Sequence, residues 1–198
     1  MANTNAPFGF KHVGTISGAA PTFVQQERLI ASTDSQAVFF GDVVYAVNTP
    51  ATGYVTGGAA PGSGNPVGIF VGCQYNSVSQ QRIVNSRYYP GSDANGPVTA
   101  YLITDPGALF LVQTDSSGCT FAQVGQNATF TYAAGSTTTQ ESAEVLTGIS
   151  TSASLPFTIV ELVTDPAGDN GTDATSGYNK VIVAFNQQIF KAGVASVA

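Results

Sequence analysis

Two carboxylates held about 5–10 Å apart can cleave a glycosidic bond, one donating a proton while the other attacks or activates water. The acids available for such a pair are Glu27, Asp42, Asp105, Asp115, Glu141, Glu144, Glu161 and Asp165. Most sit beside turn-forming residues, where an Asp side chain bonds its own backbone. Glu161 lies inside an apolar run instead and is expected on the outward face of a strand. A Ser or Cys nucleophile needs a base, and His12 is the single histidine. It lies next to the N-terminal segment and reads as an exposed or hydrogen-bonded side chain. No Gly-x-Ser-x-Gly elbow is followed by a workable acid and base. Gly62-Ser63-Gly64-Asn65-Pro66 is not a phosphate cradle, because no Lys follows and no helix begins there. Cys73 falls in an apolar run and reads as a small core residue. Cys119 follows the turn Asp115-Ser116-Ser117-Gly118. Two cysteines and one histidine are too few for a zinc site. Asp165, Asp169 and Asp173 offer the oxygen ligands that Ca²⁺ takes, without EF-hand spacing or a closing Glu, so a solvated loop is expected. The triplets at Asn127 and Asn170 match glycosylation acceptors, which matter only in a secreted chain. The expectation is no enzyme, no cofactor and no metal.

The elements that must carry these residues read as β. The 198 residues include 21 Val, 9 Ile and 22 Thr against 7 Leu, 4 Glu, 3 Lys and 1 Met. β-Branched side chains lose χ1 freedom in helices and fit a pleated surface. Gly (22) and Pro (10) punctuate many short strands. Charged residues make up 9%, against about 25% in an ordinary domain, and the net charge is −6. Six basic residues form no basic stripe, so a nucleic-acid partner is not expected. No run approaches a membrane span, and residues 1–10 show no secretory signal. A small-molecule ligand is not expected. Ser, Thr, Asn and Gln total 62, which makes the surface polar but nearly uncharged. Isolated soluble domains usually carry more charge. Much of this surface is therefore expected to sit against other subunits.

The chain divides into an N-terminal arm (1–12), one β-rich domain (13–190) and a C-terminal tail (191–198). The domain is expected to be a compact β-barrel or sandwich of about ten to twelve short strands with long loops. Strands are expected over 22–30, 37–47, 67–75, 98–103, 108–113, 129–132, 157–163 and 180–185. Gly41-Asp42 marks a bulge or tight corner. Thr104-Asp105-Pro106-Gly107 is a turn with Pro at its favoured second position. Residues 48–66 and 76–97 read as loop or polar connection, and 142–148 as a helical turn or short strand. Phe8 and Phe10 favour docking of the arm on a neighbour, because a free arm gains nothing by exposing them. With Tyr88 and Tyr89 they are the expected subunit contacts. Deleting residues 1–10 is expected to leave the domain folded.

Several segments together resemble a family of tailed-bacteriophage virion proteins, the head decoration or cement proteins. They are Gly41-Asp42-Val43-Val44-Tyr45, Pro66-Val67-Gly68-Ile69-Phe70-Val71-Gly72, Tyr89-Pro90-Gly91, Asp105 to Gln113, Val124 to Ala128, Gly135 to Thr139 and Leu155 to Val160. Their order and spacing over residues 38–163 carry the resemblance. It implies an all-β structural protein, made in the host cytoplasm, that binds the outer surface of the virion capsid and stabilises it. The implied partners are the major capsid protein and copies of itself, as a trimer. The alternatives are another virion component (head fibre base, neck, tail or shell subunit) or a carbohydrate-binding β-domain using Tyr88, Tyr89 and the acidic loop.

Overall fold

The computed structural model describes residues 3–21, 24–48, 51–58, 65–164 and 176–191. They form twelve strands: β1 (Lys11–Thr15), β2 (Gln26–Ile30), β3 (Val43–Asn48), β4 (Ala51–Thr56), β5 (Pro66–Ser77), β6 (Arg82–Ser86), β7 (Val98–Ile103), β8 (Ala108–Gln113), β9 (Asn127–Thr131), β10 (Val145–Ser150), β11 (Phe157–Leu162) and β12 (Lys180–Phe185). One 3₁₀ turn, Phe121–Gln123, is the sole helical element among the described residues. The all-β expectation holds.

Local chemistry explains several joints. The Asp105 carboxylate accepts the Gly107 N–H at 2.8 Å, and the Ala108 N–H closes on the Asp105 carbonyl at 3.0 Å. That turn makes β7 and β8 consecutive in the chain, yet they enter different sheets. At the expected corner, Gly41 has φ +93°, and the Asp42 N–H returns to the Phe39 carbonyl at 3.0 Å.

The two sheets are antiparallel. One runs β1-β8-β12-β11-β9-β10, and a parallel bridge from Thr114 to Leu146 draws β10 back toward the end of β8, rolling the sheet toward a barrel. The other runs β2-β7-β5-β3-β4. The twelve-residue β5 is its axis, pairing with β3 over its first half and with β6 over its second. Its first eight residues, Pro66 to Cys73, have almost no exposed position, which is why that stretch is apolar almost without a break, while Gln74 and Asn76 face outward. Between the sheets, Val43, Tyr45, Ile69 and Ile103 pack on the rings and branches of Phe110, Phe130, Phe157, Val183 and Phe185. A second cluster, including Val44, Phe70, Tyr89 and Leu102, fills the far side of the β5 sheet.

Two expectations on segments are corrected. The 48–66 region contains β4, hidden by its Gly53 and threonines. The 76–97 region contains β6, whose partners are polar, as in the Gln74–Asn85 amide pair at 3.1 Å. The arm boundary at residue 12 falls inside β1. Of 142–148, the latter part belongs to strand β10. The loop with Asp165, Asp169, Asn170 and Asp173, and the tail from 192, lie outside the described residues.

Candidate functional site

The segment before β1 is tied to its own chain. Asn3 donates to the Gly177 carbonyl at 3.0 Å. Gln113 receives the Ala6 N–H at 3.0 Å and donates to the carbonyls of Thr4 (2.8 Å) and Tyr178 (2.9 Å). Lys11 and Lys180 stand over the Phe8 ring at 4.7 and 5.9 Å. Phe10 is 1% exposed and lies in the inter-sheet core. Its ring therefore offers no surface to a second subunit, which corrects its expected role. The physical reason is that the extended arm crosses the Gly41 corner, where the Phe10 N–H meets the Gly41 carbonyl at 2.9 Å, and turns inward. Replacing Gln113 by Leu is expected to destabilise the fold by about 1–3 kcal/mol, because three backbone groups lose a buried partner. Limited proteolysis should then cut before Phe10 while the rest resists; an unchanged digestion pattern would count against Gln113 as the tie that holds this segment.

The tyrosines separate in the same way. Tyr89 is fully buried in the second cluster, edge-on to Tyr75 at 5.4 Å, so it too is removed from the expected contacts. Tyr88 lies in the bend after β6 and stacks half-buried on Phe39 at 5.4 Å. Glu161 is exposed, as expected. Cys73 and Cys119 are buried thiols, and burial pushes the Cys73 thiol up to about 12.

Of the eight candidate acids, the fold brings Asp42 and Glu144 into one electrostatic neighbourhood, with both side chains buried. Asp42 accepts the Phe39 N–H at 2.7 Å, and Glu144 accepts the Val43 N–H at 3.0 Å. The second oxygen of each, with the Tyr45 hydroxyl, is buried without a hydrogen-bond partner. Burial pushes the Asp42 carboxyl up to about 6, partly offset by the Ser142 hydroxyl and the Phe39 N–H. Burial, reinforced by the Asp42 charge, holds Glu144 well above the usual carboxylate range. Each carboxyl in this poorly solvated place therefore favours its protonated form. Neither acid lines the clefts described next, so the pair reads as a proton-holding joint inside the fold. Sequence reasoning had both residues but no signal to join them.

The open site lies where the sheets meet. Adjoining clefts of about 410 and 640 Å³ share His12 and Ile103 as walls, and a third of about 370 Å³ shares Arg28 and Phe190 with the second. In the first, Glu141 bridges Lys11 at 3.2 Å and Arg87 at 3.8 Å, and the Arg87 guanidinium lies 4.1 Å over the Phe40 ring. In the second, Arg28 is braced by the Gln26 side chain and Glu27 carbonyl, each at 3.0 Å, and lies 5.3 Å over Phe190. No described carboxylate forms an ion pair with Arg28. Of the six basic residues, all described, three line this groove; of the nine described acidic ones, Glu141 and Asp105 do. Sequence reasoning missed the groove, because its basic residues come from three distant segments.

Among the described residues, no group of three or more His, Cys, Asp or Glu is placed to hold a metal, and no helix is long and apolar enough to cross a membrane. No family model matches the sequence, and neither the curated proteins nor the solved structures yield a match.

Proposed function

We propose that this chain is a structural virion protein that binds the outer surface of a phage capsid and reinforces it. The observation that carries the reading is a surface poor in charge yet studded with large apolar side chains. Phe121 is 82% exposed, and Val24, Ile83 and Ile16 are each more than half exposed. Phe121 stands on the 3₁₀ turn, which is held by reciprocal Thr120 and Gln123 capping contacts, so an anchor residue is presented on a rigid base. The resemblance of residues 38–163 to head decoration proteins supplies the partner class: the major capsid protein, with copies of this chain beside it as a trimer. Many weak contacts acting together then give firm attachment. The sugar-binding alternative loses its platform, since Tyr89 is buried and Tyr88 is stacked on Phe39.

The test mixes purified protein with particles that lack it and counts bound copies after sedimentation. Saturation on the order of hundreds of copies per particle is expected from repeated attachment, with Phe121→Ser lowering occupancy while leaving the unfolding midpoint unchanged. A handful of bound copies would move the protein to a vertex, neck or tail. No binding would overturn the virion reading.

A further inference from the structure

The groove between the sheets has an edge strand for one wall. Among the described strands, β1 is terminal in its sheet and pairs with β8 alone. Edge strands invite pairing, and proteins guard them with charge and bulges. Here Lys11 supplies the charge, and the register slips between His12 and Gly14. Such a guard rejects a neutral or basic strand. Toward an acidic one, Lys11 becomes a partner instead, so the same residue both excludes and selects.

We propose that this groove receives an extended acidic segment of a partner protein, laid beside β1 with its carboxylates facing Lys11, Arg87 and Arg28. Charge complementarity picks the occupant. The chain as a whole is acidic, yet half of its basic residues converge on this groove against two of the nine described acids. Glu141 already sits between Lys11 and Arg87, which shows that their spacing accommodates a carboxylate. Arg28 stands oriented without one. Both guanidinium groups rest on aromatic faces, Phe40 and Phe190, so little freedom is lost when they bind. The groove is drawn out as adjoining clefts rather than one closed cavity, which suits an extended chain. Its apolar walls, Val71, Ile103 and Val24, would take the alternate side chains of a strand whose other residues are acidic. The inference does not depend on the virion reading, since any acidic partner strand would satisfy it.

The probes are three fluorescein-labelled octapeptides: alternating glutamate and valine, alternating lysine and valine, and alternating glutamate and proline. The last has the charge but cannot pair as a strand. Anisotropy at low salt should show binding of the glutamate–valine peptide alone, weakening as salt is added. Arg28→Gln combined with Arg87→Gln should weaken it at least about tenfold. Arg28→Gln alone, at a half-buried position on edge strand β2, should give part of that loss with the fold unchanged. Amide resonances of Lys11–Thr15 should shift on binding. No binding of the glutamate–valine peptide, equal binding of the proline peptide, or full affinity in a folded double variant would each overturn the proposal. These measurements use the purified chain, so failure of capsid attachment and failure of the groove are read separately.

Discussion

Replacing Phe10 by alanine is expected to destabilise the protein by about 3–5 kcal/mol, the usual loss for a buried phenylalanine. The ring stacks on Phe157 at 4.5 Å and 19° and meets Phe130 edge-on at 6.0 Å. Removing it opens a void walled by aromatic rings that cannot collapse, because they belong to strands locked by their own ladders. The approach to the core is equally constrained. Gly9 has φ +68°, and a Cβ there would collide with the Ser142 Cβ. Removing residues 1–10 altogether should therefore cost at least as much as Phe10→Ala, rather than yield a folded domain that has lost only a sticky arm. Urea unfolding of both variants checks this. A loss below about 1 kcal/mol for Phe10→Ala would show that the core closes without the ring.

The second large effect is on pH dependence. Asp42 and Glu144 both bind protons more tightly in the folded protein than carboxyls ordinarily do, Asp42 moving from 3.8 to about 6. Between those values the folded state holds more protons than the unfolded chain. The contribution is fully present below the ordinary carboxylate range and is lost as pH rises through the folded values. For Asp42 alone this amounts to about 3 kcal/mol. Stability is thus expected to fall from about pH 4 toward pH 8. Asp93 works in the opposite sense, since the Ser77 hydroxyl and Ser79 N–H hold its carboxyl low, but its window lies below the ordinary carboxylate value and does not overlap. Glu144→Gln keeps the shape and an acceptor for the Val43 N–H while removing the titration. It should raise stability at pH 8 and flatten the slope. Thermal melts of both proteins at pH 5 and pH 8 decide the matter: equal slopes would mean that Glu144 does not hold a proton in the fold, while the Asp42 contribution remains in both proteins.

The two predictions share one place. The Phe10 N–H, the Gly41 carbonyl, Asp42 and Ser142 are neighbours in the fold, so the entry of the arm into the core passes beside the proton-holding pair. Loss of the proton above pH 6 puts uncompensated charge next to this crossing, and the arm is the segment expected to loosen first.

What the sequence determined by itself was everything that depends on near neighbours. β-Branched residues and frequent Gly and Pro announced an all-β chain. The Asp105-Pro106 turn set β7 and β8 to the residue, because a side chain bonding two positions away needs no partner elsewhere. The unbroken apolar run of β5 announced a central strand. Only the tertiary structure decided what distant segments do together. Edge strands β4 and β6 carry Gly, Thr and polar pairs that mimic loop composition until a partner strand is beside them. Phe10 reads in sequence as a contact for a neighbouring subunit because nothing within ten residues reveals Phe130 and Phe157 waiting for it. Glu144 reaches the Val43 N–H across 101 positions, so its burial and its proton arise from chain crossing, not from local pattern. The groove has the same origin: Lys11, Arg28 and Arg87 are scattered along the chain, and only the meeting of the two sheets makes them one surface.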